Sequence, residues 1–246
     1  MIAWSNQKKL TNYRTIGFVL SDTPHTKDVG NGAIEIAKKM GLQVVESSLV
    51  PFRTVDFSAV IAKLKIANPD IAVLILWDIE MKSFVKQAVE LGYRPKQIYS
   101  RFMGSPLLNA IGSNVAEGMT GSAFTAKKMF DSKLKKIFDL IKIDAYDLPW
   151  SVIKYGAMET IIKGVELAGS PDREKVMKVF WDTKTQIPMI WGPLQFHWDV
   201  KEGGKTYGGY GTLFPIVGQF QEGKFQVIWP EKWQDATYQP GWRPKE

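Results

Sequence analysis

Side chains with chemical reach are sparse in this sequence. It contains no cysteine, which removes thiol nucleophiles, disulfides and thiolate metal clusters together and leaves the redox compartment open. The two histidines, His25 and His197, stand far apart, and neither has a second ligand at helical or short-loop spacing, so a zinc site has no starting point. No Gly-x-Ser-x-Gly elbow is present, and no Ser-His-Asp trio assembles without guesswork. Glu35 and Glu166 fall on helical stretches as solvated carboxylates, and no pair of acids is singled out for glycosidase chemistry.

Two glycine patterns invite a phosphate reading and fail it. A dinucleotide-binding turn needs glycines directly after the first strand, so that backbone can approach a pyrophosphate. That turn reads Ser21-Asp22-Thr23-Pro24-His25; Gly30-Asn31-Gly32 comes later, inside a helix, and Glu35 stands where the third glycine belongs. Gly218 to Lys224 has the spacing of a phosphate loop, but Phe225 replaces the hydroxyl that would hold magnesium. Strand-like runs flank it on both sides, so Glu222-Gly223-Lys224 is expected to be the turn of a hairpin between Phe214–Phe220 and Phe225–Trp229. The chain points to no cofactor, no metal and no catalysis.

The elements that must position any site follow a clear rhythm. Thr15–Leu20 is a β-branched and aromatic run, and Val29, Ala33, Ile36, Ala37 and Met40 recur at helical spacing until Gly41. Leu42–Leu49 reads as a second strand. Asp56 is a cap candidate for a helix through Ile66, and Asn68-Pro69-Asp70 closes it. Ile71–Trp77 is apolar on both faces, as a central parallel strand should be. A helix over Glu80–Leu91, a strand over Ile98–Phe102, a short helix or turn over Asn109–Ala116 and a strand to Phe124 continue the alternation. This predicts an α/β fold, with parallel sheets covered by helices. After Ala126 the pattern turns helical over Phe130–Ile143, Pro149–Leu167 and Asp172–Trp181. From Gly192 onward it becomes strands and turns, and the tail Pro230–Glu246 is expected to wrap the surface.

In open α/β folds, ligands bind beyond the carboxyl ends of the strands. Here those ends hold Ser21 to His25, then Trp77 and Asp78, then Met103, Gly104 and Ser105. An aromatic wall, a carboxylate and several hydroxyl and backbone donors suit a small polar organic ligand. The competing reading makes His25 a surface loop residue, Trp77 a core plug and Asp78 a helix cap.

Composition narrows the partners. The 246 residues are 45% hydrophobic and 12% aromatic, which excludes a disordered chain. The net charge of +7 is dispersed over short pairs such as Lys8-Lys9 and Lys127-Lys128, without interleaved aromatics, so nucleic acid is not an expected partner. Met1–Leu10 contains no apolar stretch of the roughly 7–15 residues a signal peptide needs.

Several segments, in this order, resemble the extracytoplasmic solute-binding proteins of branched-chain amino-acid ABC importers, which are type I periplasmic binding proteins. They are Asp56–Lys65 with Asn68-Pro69-Asp70, Phe102-Met103-Gly104, Ala116-Glu117-Gly118, Tyr155-Gly156-Ala157 with Ala168-Gly169-Ser170, Gly192–Phe196 and Gln219–Phe225. The resemblance covers residues 13–230. It implies two α/β lobes joined by three hinge strands and closing on a solute. Residues 1–126 would form most of the second lobe, 127–210 would return to the first, and 211–246 would cross back. It also implies an ABC permease as partner, an extracytoplasmic location, and no enzymatic role. By position, His25 falls where many members place a tyrosine, Trp77 and Asp78 fall at aromatic contacts, and Met103 to Ser105 match a ligand-facing loop.

Two departures shape the expectation. Amino-acid-binding members carry a glutamate just after the Met-Gly pair, where this chain has Ser105-Pro106-Leu107. An α-amino acid is then disfavoured unless Asp78 substitutes. The opening third of the family pattern has no counterpart, so a shortened first lobe is expected, with Met1–Asn12 as the tail of its last helix. Self-association through an exposed sheet edge would follow. A ligand-sensing or interaction domain without a transport role is the alternative.

Overall fold

A computed structural model describes residues 2–101, 103–189, 193–197, 200–202, 205–207, 210–211 and 216–245. A short helix α1 (Ile2–Gln7) precedes a regular alternation: β1 (Thr15–Ser21), α2 (Pro24–Lys39), β2 (Gln43–Val50), α3 (Ser58–Ala67), β3 (Ile71–Ile75), α4 (Asp78–Glu90) and β4 (Gln97–Ser100). Two short helices, α5 (Ser105–Ile111) and α6 (Ser113–Ala116), lead into β5 (Thr120–Ala123). Then come α7 (Ser132–Ile141), α8 (Pro149–Ala168) and α9 (Arg173–Trp181). Four short strands follow, β6 (Phe196–His197), β7 (Val200–Glu202), β8 (Lys205–Tyr207) and β9 (Tyr210–Gly211), before β10 (Ile216–Gln221) and β11 (Lys224–Trp229). The chain divides into two units, Met1–Ala123 with Ile216–Glu246, and Phe124–Pro215.

The first unit is built on a seven-stranded sheet in the order β11-β10-β5-β4-β3-β1-β2. β1 to β5 run parallel, while β10 and β11 are antiparallel additions. Alternation along β1 decides which helix covers which face. Ile16, Phe18 and Leu20 join Ala37, Leu42, Val73 and Ile75 in one cluster beneath α2. Gly17 faces the other way, where a Cβ would come within 2.8 Å of Leu64 on α3, so this strand meets that helix at a distance only glycine permits. α3 packs on α4 and α4 on α5, covering that second face. Every residue of β3 is buried, as a strand between two helical layers requires.

The amino ends of the strands are fastened by polar side chains. Asp70 accepts from the backbone N–H of Arg14 (2.7 Å) and Thr15 (3.0 Å) and pairs with Lys96 at 2.6 Å. The tail does more than wrap the surface. Tyr238 and Trp242 are buried, and the backbone N–H groups of Trp242, Arg243 and Lys245 donate to Lys96, Glu117 and Asn114. The Gln219 and Gln221 amides donate to the carbonyls of Gln239 and Thr237. The phosphate-loop spacing is a hairpin: Glu222 and Gly223 both take positive φ (51° and 72°) between paired Gln221 and Lys224.

In the second unit, Asp131 and Asp172 cap α7 and α9, and Gly169 ends α8 in the left-handed conformation. Phe130, Leu134, Ala145 and Val152 form its small core. β6 pairs with β9, and β7 with β8. Met158, Ile161, Ile162 and Leu167 on α8 are exposed. No helix among the described residues is long and apolar enough to cross a membrane.

Candidate functional site

The strand order reverses between β1 and β3: the chain leaves β1 toward β2 at the edge, then returns past β1 to β3 and β4. Connections diverge to opposite faces at such a switch point, and a crevice opens beyond the carboxyl ends of the two strands. The loop after β1 carries His25 to this place. Thr23 caps α2 and Pro24 occupies its first position, so His25 stands exposed in the first helical turn rather than in a loop ahead of it. The connection after β3 brings Trp77 and Asp78, and α4 begins at Asp78, two residues earlier than the apolar pattern predicts. Its carboxylate therefore sits at the positive end of the helix dipole.

One buried carboxylate holds these turns together. Glu80, 1% exposed, accepts through Oε1 from the Ser21 hydroxyl (2.9 Å) and the Arg53 N–H (2.7 Å), and through Oε2 from the Trp77 N–H (2.9 Å). The ends of β1, β2 and β3 are thus tied to a single side chain. Three donors offset the cost of burying its charge, which is several kcal/mol for an unpartnered carboxylate.

An aromatic and cationic surface lies above that tie. The Trp77 ring, 38% exposed, is 6.5 Å from the His25 ring and 6.2 Å from the edge-on Phe52 ring, centroid to centroid. The Arg101 guanidinium carbon lies 4.9 Å from the Trp77 centroid, and that of Arg53 lies 5.3 Å from the Phe52 centroid. Arg101, immediately after β4, is only 8% exposed. Burial pulls its pKa down, and the Asp78 carboxylate works in the opposite direction.

The neighbouring turn, Met103 to Ser105, follows β4 and opens α5. Gly104 is its cap residue in extended backbone, and Ser105 is half-buried. Met103 is 3% exposed and lies across β5, where a Cβ on Gly121 would come within 2.6 Å of its sulfur. Its side chain fills the sheet, and its N–H donates to Ser122 at 2.9 Å. The structure brings His25 and Trp77 together with Asp78 next in sequence, while the Met103–Ser105 turn follows the neighbouring strand β4 and is fastened to β5.

Sequence reasoning passed over Phe52, Arg53, Glu80 and Arg101. Two signals were available. Trp77-Asp78-Ile79-Glu80 puts a glutamate at the third helical position, where it can accept from the cap residue's N–H. Arg101 is a charge just past an apolar strand end, directly before the Phe102-Met103-Gly104 segment. Two hollows in this unit lie elsewhere. One, of about 310 Å³, is crossed by the Lys8–Glu231 ion pair near the amino end of the sheet. The other, of about 240 Å³ and almost wholly apolar, lies between α2 and Phe18.

Known proteins match this chain over most of its length. A family model described as periplasmic binding protein matches residues 3–207. Leu/Ile/Val-binding protein homolog 7 of Brucella abortus (strain 2308) is 25% identical over 235 residues, covering 88% of this chain and 55% of that protein. The chain thus spans about half the length of the curated relatives it matches. Among solved structures, a leucine binding protein, LivK, from Thermotoga maritima MSB8 superposes with a TM-score of 0.73 at 20% identity, over 92% of this chain and 62% of that one. A solute binding protein of an ABC transporter from R. palustris, solved with benzoate, gives 0.62 at 14% identity, over 88% and 58%. At these identities the structural matches establish the fold: a mixed α/β architecture of the type I periplasmic-binding-protein kind.

Proposed function

The chain belongs to the periplasmic binding protein family, and from that premise we propose that it captures a small polar or amphipathic organic solute and delivers it to an ABC permease. The solute would be an amino acid, an amide or a related small organic acid, and the protein a carrier outside the cytoplasm rather than an enzyme. Relatives named for leucine, isoleucine and valine binding, and one structure solved with benzoate, support that range of solutes. The binding residues in this reading are His25, Trp77, Asp78 and the Met103–Gly104–Ser105 turn. In the same reading residues 1–126 are most of the second lobe, 127–210 return to the first, and 211–246 cross back. The observed division after Ala123 and after Pro215 supports those crossings.

One observation carries the proposal: an exposed tryptophan stands at the switch point of the sheet, flanked by His25 and Phe52 and clamped from below by Glu80. A soluble domain has no structural need to hold three rings in water at the place where this fold opens a crevice. The test is a thermal melt of the chain against a panel of amino acids, amides and small carboxylic acids. A bound solute stabilises the folded state by mass action, about 2.7 kcal/mol at a hundredfold excess over Kd, which raises the melting temperature by several degrees. At least one compound is expected to do so, and Trp77→Ala is expected to remove the shift while leaving the unliganded melt in place. A panel that shifts nothing removes the proposal.

A further inference from the structure

We propose that Phe52, in the turn after β2, is a further contact residue for the solute and sets how large an apolar group the site prefers. The inference rests on the solute-binding reading above and adds to it a strand end that the reading leaves out.

Three observations carry it. The first is how firmly an exposed ring is held. Phe52 is 49% exposed, yet its turn is closed on itself, with the Thr54 N–H donating to the Pro51 carbonyl at 3.1 Å. The connection from β2 to α3 is also fastened to α4. The Arg53 N–H donates to Glu80 at 2.7 Å, the Phe57 N–H to the Gln87 side-chain oxygen at 2.7 Å, and the Gln87 amide to the Val55 carbonyl at 2.6 Å. Arg53 takes a φ of 67° to make this turn, a left-handed conformation that disfavours a residue with a Cβ. Strain of that kind persists only where the surroundings enforce it, and it collects at ligand sites.

The second is a common anchor. Glu80 accepts from the N–H of Arg53, next to Phe52, and from the N–H of Trp77 itself. One buried side chain therefore sets the two rings against each other, with centroids 6.2 Å apart and planes at 76°. Both rings are exposed, so they form two walls of a corner at the rim of the crevice. The third is charge. Arg53 and Arg101 are matched in number by Asp78 and Glu80, and Asp22 pairs with Lys27 at 2.7 Å. With the charges balanced, apolar contact with the rings is what separates solutes that carry the same polar group.

The test is calorimetric titration of the full chain with two pairs of probes, each pair sharing a polar group and differing in the apolar one: leucine against alanine, and benzoate against acetate. In at least one pair the larger member is expected to bind at least about tenfold more tightly. Phe52→Ala is expected to reduce that ratio several-fold while leaving the urea midpoint nearly in place, because half of the ring is already in water. Phe52→Tyr keeps a ring and is expected to keep the ratio. If Phe52→Ala does not fold, Phe52→Leu, which shortens the wall, takes its place. A ratio unchanged without the ring, or lost in Phe52→Tyr as well, overturns the contact while leaving solute capture standing. Pairs whose members bind alike overturn the selection by size. Silence from all four probes while another compound of the wider panel binds overturns the proposal, and silence from the panel as well removes both readings.

Discussion

Two carboxylates do the most to organise the first unit, and they sit at opposite ends of the same sheet. Glu80 ties three strand ends together beneath the candidate site, and Asp70 ties the starts of β1 and β3. Burial by itself would raise the Asp70 carboxyl. The Lys96 ammonium and the N–H groups of Arg14 and Thr15 outweigh it and hold the pKa down to about 2. A carboxyl depressed in the folded state contributes stability that is present above its ordinary value near 4 and is lost as pH falls toward 2. Asp70→Asn is therefore expected to cost about 1–2 kcal/mol at neutral pH, the range of hydrogen bonds to a charged group reduced by solvent screening. Urea unfolding across pH 7 to 2 checks this: the gap between the two proteins should close between about pH 4 and pH 2. A gap independent of pH would mean that the charge on Asp70 contributes nothing.

At the scale of elements, the site depends on how closely β4 and β5 approach. A Cβ on Gly121 would lie 2.4 Å from the Ser100 carbonyl oxygen and 2.6 Å from the Met103 side chain. Backbone cannot yield as a flexible side-chain end can, so Gly121→Ala is expected to destabilise the chain by about 1–3 kcal/mol. The same change should displace the Met103–Ser105 turn and weaken solute binding, measurable as a lower urea midpoint and a higher Kd from one variant. An unchanged midpoint would show that β4 and β5 have slack. Where α4 starts is also decided at this scale. Glu80 accepts from the Trp77 N–H and draws the first turn back to Asp78, so that Asp78, a cap in the competing reading of the sequence, lies on the helix itself and Trp77 is the cap residue.

At the scale of the molecule, the chain divides into two units, and the first presents β2 at the end of its sheet with β1 as its ladder partner. Edge strands of that length template pairing unless blunted by charge, proline or a bulge. The register shift at Val45 and the charge of Glu46 blunt the first half of β2, while its second half has neither, and Leu49, Phe52 and Val55 are exposed along and just beyond it. Light scattering after gel filtration is expected to show concentration-dependent self-association that Leu49→Lys suppresses. A mass equal to 27.8 kDa at every concentration would rule that surface out.

The alternation of strands and helices from Thr15 to Ala123, the hairpin at Glu222-Gly223 and the ends of α8 and α9 were legible in the sequence. Each depends on local signals: apolar period, cap residues, and glycine where φ is positive. The same logic placed His25, Trp77 and Asp78 at strand ends. Local signals could mark Glu80 and Arg101 as positions of interest but not give their roles, because those depend on partners distant in sequence. Glu80 is 59 residues from Ser21 and 27 from Arg53, and Arg101 meets the ring of Trp77, which lies in the connection after β3. Nor did it anticipate that the tail would bury Tyr238 and Trp242, because a stretch rich in proline and lysine has no apolar period to announce burial. Sequence by itself determined which segments become strands and helices, since those preferences arise within a few residues. Only the tertiary structure decided which charges face the rim and which are consumed beneath it, since charge compensation is settled between groups that the fold brings together.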